Sequence, residues 1–249
     1  MEAKDNRRPI YTCYMDTSKA FDMVDHKELL CTLRAQGLRG DTWHISTFHD
    51  AYKDIHSVVK WDGEVSRNFH EGQGIRQGGT SSAGAFNINS DPLLHRIEPH
   101  PDGYKVGCLN IGAVMVADDI ALISGSKNGM QALVNIAEQD AAERRYLFSE
   151  TKTKLQITNR EAMDNEVTLN NTPIGCSEEE AHIGIQRCAD LSHQATIDAR
   201  IKTARRTVYA LMGAGLHGLN GMCPPTSMKI IKIYVIPRLI FTNSYWWHM

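Results

Sequence analysis

The spacing of apolar and polar positions changes character several times along the chain. Residues 9–15 form a short apolar run in which Tyr11, Thr12 and Tyr14 add β propensity, and the run ends directly at Asp16. In the segment that follows, DTSKAFDMVDHKELLCTLRAQG, the residues Val24, Leu29, Leu30 and Leu33 recur at helical spacing, with Gly37 as a stop. Residues 41–52 read as helical. Residues 56–70 alternate around Asp62-Gly63, a dipeptide that favours a hairpin turn. A glycine-rich stretch, EGQGIRQGGTSSAG, precedes a helix expected from Ala85 to Ile97.

The second half continues the pattern. In IGAVMVADDIALI two apolar arms flank an Asp-Asp pair, which predicts a hairpin over 111–123 with Asp118 and Asp119 at its tip. The strongest amphipathic helix is expected over 127–148, where Met130, Leu133, Val134, Ala137 and Ala141 share a face. Short strands are expected at 152–158 and 166–174, and a helix over 193–212. A last helix or strand over 226–243 is interrupted by Pro237. No repeat or low-complexity tract occurs, and a soft boundary falls near residues 175–195.

Composition narrows the class. With 249 residues, 42% of them hydrophobic, the chain can bury a core. Twenty-seven Lys and Arg against 29 Asp and Glu give a net charge of -2. That balance excludes binding of nucleic acid by bulk charge, though not through a local basic groove. The N-terminal apolar stretch from Ile10 to Met15 is too short for a signal peptide, and no run is long enough to span a bilayer. The six cysteines form no C-x-x-C pair, so reduced thiols in an intracellular compartment are expected, nuclear or cytoplasmic being left open, with no membrane association.

Chemistry gathers at the carboxylates. An Asp at the end of one strand and two more at a hairpin tip can hold two divalent ions, one serving an attacking oxygen and the other a leaving oxygen. Mg²⁺ suits such a site, since it takes a few carboxylates plus phosphate and water. An exposed Asp-Asp turn is the plainer alternative. In GIRQGG the glycines allow close backbone approach, Gln77 offers donor and acceptor groups, and Arg76 can face phosphate. A simple flexible loop is the alternative there.

DTSKAFDMVDH, GIRQGG and VADD, in that order, resemble the A, B and C motifs of reverse transcriptases, nearest to the non-LTR (LINE-like) retrotransposon group. YLFSETKT (146–153) resembles the D motif that follows them. HIG (182–184) stands where that group often has Tyr-Leu-Gly, and 195–243 resembles its thumb. The resemblance implies an α+β fold: a polymerase palm, with an antiparallel sheet and helices on one face, then a mainly helical thumb-like region. The palm would cover residues 1–175, and 176–249 would form the palm–thumb junction and a partial thumb.

It also implies roles. Asp16, Asp118 and Asp119 would bind two Mg²⁺ ions, with Mn²⁺ as a substitute. The backbone of Thr17 would lie near the metal. Phe21 would be an aromatic gate against a 2′-hydroxyl, with a core packing role as the alternative. Arg76, Gln77 and Gly78 would lie beside the incoming nucleotide and the template. Lys152 would protonate the pyrophosphate leaving group, a solvated strand-end lysine being the alternative. Arg200, Lys202, Arg205 and Arg206 would contact duplex phosphates, or form an ordinary polar helix face.

The implied activity is RNA-directed DNA polymerisation: attack of a primer 3′-hydroxyl on a deoxynucleoside triphosphate, templated by RNA or DNA. Two departures stand out. Val116 replaces the usual Phe or Tyr of the C motif, and Gly79-Thr80-Ser81-Ser82-Ala83 replaces a Leu-Ser-Pro turn. Only about nine residues precede the A-motif strand, so the fingers are expected to be largely absent and activity of the isolated chain impaired. Two rivals are an inactive retroelement remnant with residual nucleic-acid binding, and a zinc module built from Cys176, His182, Cys188 and His193.

Overall fold

The computed structural model describes residues 8–37, 49–76, 78–79, 82–159, 166–217 and 220–241. Gln77, Thr80 and Ser81 lie outside the described residues, as does most of the helix expected over 41–52. The chain divides into two compact units, Met1–Ser177 and Glu178–Met249.

The first unit is a mixed α/β arrangement built on a five-stranded sheet. Its strands are β1 (Ile10–Asp16), β2 (Ala113–Val116), β3 (Asp119–Ser124), β4 (Lys154–Thr158) and β5 (Gly175–Cys176), in the order β5-β4-β1-β3-β2. All pairings are antiparallel except the short β4–β5 contact, which is parallel, so the sheet is not wholly antiparallel as expected. The helices are α1 (His26–Ala35), α2 (Ser82–Ile97) and α3 (Lys127–Arg144).

Alternation along the strands sorts the two faces. Cys13 pairs with Leu122 and Leu155, and Met15 pairs with Ile120; all five side chains are buried. They pack into one core with Leu93 and Ile97 of α2 and with Met130, Leu133, Val134 and Ala137 of α3. Those four α3 side chains are fully buried, each contributing on the order of 1–3 kcal/mol. That burial outweighs the cost of Gly129 in the first turn, and Ser126 caps the same turn by accepting from the Gly129 amide at 3.0 Å. Asp16 and Asp119 belong to the other set of strand positions, away from this core.

Three expectations are corrected locally. Helix α1 starts at His26 because Asp25 caps it, accepting from the Lys27 amide at 2.8 Å, so Val24 is buried before the helix rather than within it. Helix α3 ends at Arg144 rather than 148. Arg145 takes a left-handed cap, φ 61°, and the chain turns to lie against residues 16–18. The region 166–174 is a small hairpin, Thr168–Leu169 against Thr172–Pro173, rather than one strand. The turn at Asp62-Gly63 forms as expected, between Lys60–Trp61 and Glu64–Val65.

The second unit begins with a hairpin, β6 (Glu179–His182) and β7 (Ile185–Cys188), followed by α4 (Gln194–Met212). The last segment is helical, not extended: α5 (Pro224–Ile230), a π-helical turn over Ile231–Val235, and α6 (Ile236–Ile240). Pro237 sits just past the π-helical turn, where its missing N–H leaves a carbonyl of the preceding turn without its usual partner. Among the described residues no helix is long and apolar enough to cross a membrane, and no disulfide forms.

Candidate active site

The site is assembled where β1 and the β2–β3 hairpin end side by side. Asp16, the last residue of β1, is the cross-strand partner of Asp119, the first residue of β3. Directly opposed residues hold their Cβ atoms about 5 Å apart, and like charges there are destabilising. Strand pairing alone gives no reason to place two carboxylates so.

Val116 and Asp119 close the β2–β3 hairpin as a pair, leaving Ala117 and Asp118 as a two-residue turn. Such turns demand a positive φ that glycine or asparagine normally supplies. Here Ala117 adopts φ 55°, a strain of about 1–2 kcal/mol for a residue with a Cβ. Its methyl group compensates in part by packing on a second core cluster with Phe86, Ile75 and Val24. Backbone strain of this kind tends to gather at functional positions. Asp118 is exposed, and with Thr17 and Ala117 it lines a small cavity that also reaches Asn89 and Tyr146.

Lys152 reaches the same spot from the loop before β4. Its ammonium lies 3.2 Å from the Asp16 carboxylate, in the open. Thr17 pairs with Phe148, and the Ser149 amide donates to the Asp16 carbonyl at 2.8 Å, so the 146–153 segment is laced to the end of β1.

The glycine-rich segment docks on the loop after β1. The Ile75 amide donates to the Phe21 carbonyl and the Gly74 amide to the Val24 carbonyl, each at 2.8 Å. Gly74 has φ 96°, and a Cβ there would meet the Asp22 carbonyl at 3.2 Å, so both conformation and space call for glycine. Arg76 and Gly78 are exposed beyond this contact. Phe21 is half-buried and stacks on Phe86 with centroids 4.7 Å apart, so it has a packing role whatever else it does.

Within the first unit the structure thus brings Asp16, Asp119 and Lys152 together, with Asp118 next to Asp119 in the turn. It does not draw the carboxylates into a closed cage: among the described residues no group of three His, Cys, Asp or Glu is disposed to hold a metal ion. The donor chemistry still fits Mg²⁺, which accepts one or two carboxylates and completes its octahedron with phosphate and water. The same observation lends the zinc alternative no support. Cys176 belongs to β5 of the first unit, while His182, Cys188 and His193 lie on or beside the hairpin of the second.

In the second unit the four basic residues separate. Lys202, Arg205 and Arg206 are exposed on α4, and with Tyr209 they follow helical spacing along one face. Arg200 instead donates to the Gly184 carbonyl and lies over the Phe241 ring at 4.5 Å, so it serves the unit's own packing. From Ala199 onward the sequence carries no Asp or Glu at all.

The description "Reverse transcriptase (RNA-dependent DNA polymerase)" matches residues 1–183, most of the chain. The chain belongs to the reverse transcriptase family. Two similar curated proteins are Pol polyproteins of R2 retrotransposable elements. The type-1 element of Nasonia vitripennis is 32% identical over 143 residues, 57% of this chain and 14% of that protein. The type-2 element R2DM of Drosophila melanogaster is 32% identical over 128 residues, 51% of this chain and 12% of that protein. The chain therefore spans only a small part of the length of these relatives.

Among solved structures, telomerase from Candida tropicalis in complex with a fragment of telomeric RNA aligns with 98% of this chain and 40% of its own, at a TM-score of 0.55 and 14% identity. Telomerase from the same organism truncated from its C-terminal domain aligns with 76% of this chain at a TM-score of 0.53 and 16% identity. These likenesses concern the fold, and they accord with a reverse transcriptase whose sheet and helices form a polymerase palm.

Two features of this reverse transcriptase were missed at the level of sequence. One is the strained Ala117 turn, which a two-residue loop between paired arms could have disclosed. The other is the packing of Tyr146 against the site, for which the sequence offers no local signal.

Proposed function

We propose that this chain is the RNA-directed DNA polymerase portion of a non-LTR retroelement, catalysing nucleotidyl transfer to a primer 3′-hydroxyl on an RNA or DNA template. The observation that carries the reading is the direct opposition of Asp16 and Asp119 beside Asp118, on sheet positions turned away from the core. Opposed carboxylates are destabilising by themselves, and divalent ions bound between them would offset that cost more fully than the exposed Lys152 ammonium does.

Asp16 and Asp118, with Asp119, would hold two divalent ions, Mg²⁺ or Mn²⁺, which when bound supply Lewis-acid stabilisation to the attacking and departing oxygens. The chain's own residues do the rest. Lys152 is close enough to the Asp16 carboxylate to remain beside a triphosphate seated there, and its Nζ would give a proton to the departing pyrophosphate. Phe21, braced by Phe86, would limit room at the sugar and disfavour a 2′-hydroxyl. Arg76, Gln77 and Gly78 would contact the nucleotide and template.

Residues 1–175 serve as the palm in this reading, and 176–249 as the junction and part of the thumb. Lys202, Arg205 and Arg206 would face the duplex phosphates. Arg200 would act as their internal support, in keeping with its hold on Gly184. As a stretch much shorter than its relatives, the chain would work with reduced activity by itself.

The test is primer extension on an RNA template with Mg²⁺ and deoxynucleoside triphosphates, in the 249-residue chain and in one extended upstream. Extension that disappears in Asp118→Asn supports the reading. Extension untouched by that change refutes the assigned site.

A further inference from the structure

Behind the end of β1 lies a buried ionic cluster that the chemistry above does not use. Asp140 of α3 has a side chain only 1% exposed. Its Oδ1 lies 3.2 Å from Arg144 Nε and 3.5 Å from Arg96 Nη1. Its Oδ2 accepts a hydrogen bond from the Tyr146 hydroxyl at 3.0 Å. Arg144 continues the cluster, donating to Thr32 Oγ1 of α1 at 3.2 Å and to the Asn89 carbonyl of α2 at 3.3 Å.

Apolar residues of similar volume could tie three helices together as well or better than a buried ion pair. What they could not supply is a directional hold on Tyr146. That residue follows the left-handed Arg145, where the chain leaves α3 and turns back. Its ring meets the Phe148 ring edge-on at 5.3 Å, and Phe148 pairs with Thr17. On either side the Ser18 amide donates to the Leu147 carbonyl and the Ser149 amide to the Asp16 carbonyl, both at 2.8 Å. Tyr146 also lines the small cavity behind Asp118, facing Thr17, Ala117 and Asn89. The Tyr146 ring therefore packs against the segment bonded to the end of β1 and lines the cavity that also reaches Asp118.

We propose that Tyr146, held by Asp140, is a positioning residue that fixes the end of β1 and the Asp118 turn. The proposal rests on the reading of Asp16 and Asp118 as the catalytic carboxylates. Burial, and then the negative charge of Asp140, keep the Tyr146 hydroxyl well above its ordinary range, so it stays a donor to Asp140. A small misplacement of a reacting group costs far more in rate than in stability.

Hydrogen exchange on the full chain reads the strut without reference to activity. In Tyr146→Phe the Ser18 and Ser149 amides should exchange about tenfold faster, as expected when a buried hydrogen bond is lost, while the β1–β3 ladder keeps its protection. Mn²⁺ affinity should weaken in step. Asp140→Asn, which leaves an acceptor oxygen for Tyr146, should lie closer to wild type than Asp140→Leu in both measurements. Unchanged exchange at Ser18 and Ser149, or acceleration spread evenly over the sheet, overturns the proposal. Mn²⁺ binding in Asp16→Asn is the separate control. If it persists there, the assignment of the carboxylates fails, and the exchange result still decides whether the strut exists.

Discussion

Asp16 and Asp119 face each other as the last pair of the β1–β3 ladder. Two like charges in direct opposition cost roughly 0.2–1 kcal/mol. Asp119→Asn should therefore raise the urea midpoint of the metal-free protein while weakening Mg²⁺-dependent extension. A variant that loses stability in the absence of divalent ions would show that the pair is structural.

Lys152 pairs with Asp16 at the surface, where an ion pair is worth about 0–1 kcal/mol. Lys152→Met should leave the thermal midpoint almost unchanged. Its extension rate should fall by about 10²–10⁴, the usual contribution of a positioned acid. A rate within threefold of wild type would return Lys152 to the status of a solvated lysine.

The β6–β7 turn also holds a residue with a strained backbone. His182 pairs with Ile185, so Ile183 and Gly184 form the turn, and Ile183 sits at φ 51° with its side chain partly exposed. A β-branched residue is a poor occupant of that conformation, and asparagine is a good one. Ile183→Asn should stabilise the second unit by about 1 kcal/mol in chemical denaturation. Primer–template affinity is the companion measurement: a loss there would show that the exposed isoleucine is kept for contact rather than for folding.

The basic residues of α4 should divide by function. Arg206→Ala and Lys202→Ala should weaken primer–template binding and flatten its salt dependence by close to one counterion each, with little effect on stability. Arg200→Ala should destabilise the unit, because it removes the bond to Gly184 and the contact with Phe241. Equal salt slopes in all variants would assign the stripe to an ordinary solvated face.

Alkaline pH should find Cys13. Complete burial pushes its thiol from an ordinary 9.0 to about 12. The thiol is neutral in the fold and ionises more readily once unfolded. It therefore contributes stability that is complete below pH 9.0 and is lost as pH rises toward about 12. Tyr146, also raised, adds to the same loss at the upper end. Urea unfolding across this range should show a shallower decline in Cys13→Ala than in wild type, from a lower starting stability.

Much of this was legible in the sequence because local pattern and tertiary demand agreed. The α3 face from Met130 to Ala141 follows a helical period and buries the side that period picks out, and the two apolar arms around Asp118–Asp119 pair as a hairpin. The ordered motifs told which strand ends had to meet. What was not legible depended on partners distant in sequence. The early end of α3 at Arg144 is enforced by Asp140 gripping Tyr146 and by the backbone bonds of residues 147–149 to the end of β1. The parallel β4–β5 contact involves only two residues and leaves no periodic trace. Arg200 looked like its neighbours at 202, 205 and 206 because helical spacing alone cannot tell which arginine has a carbonyl of the adjoining hairpin within reach.

RNA-templated extension of a DNA primer by the wild-type chain, set beside Asp16→Asn with folding of both checked by circular dichroism, tests the central claim most directly. The account predicts Mg²⁺-dependent extension by wild type, and none by a fully folded Asp16→Asn. Equal extension by the two proteins would contradict it.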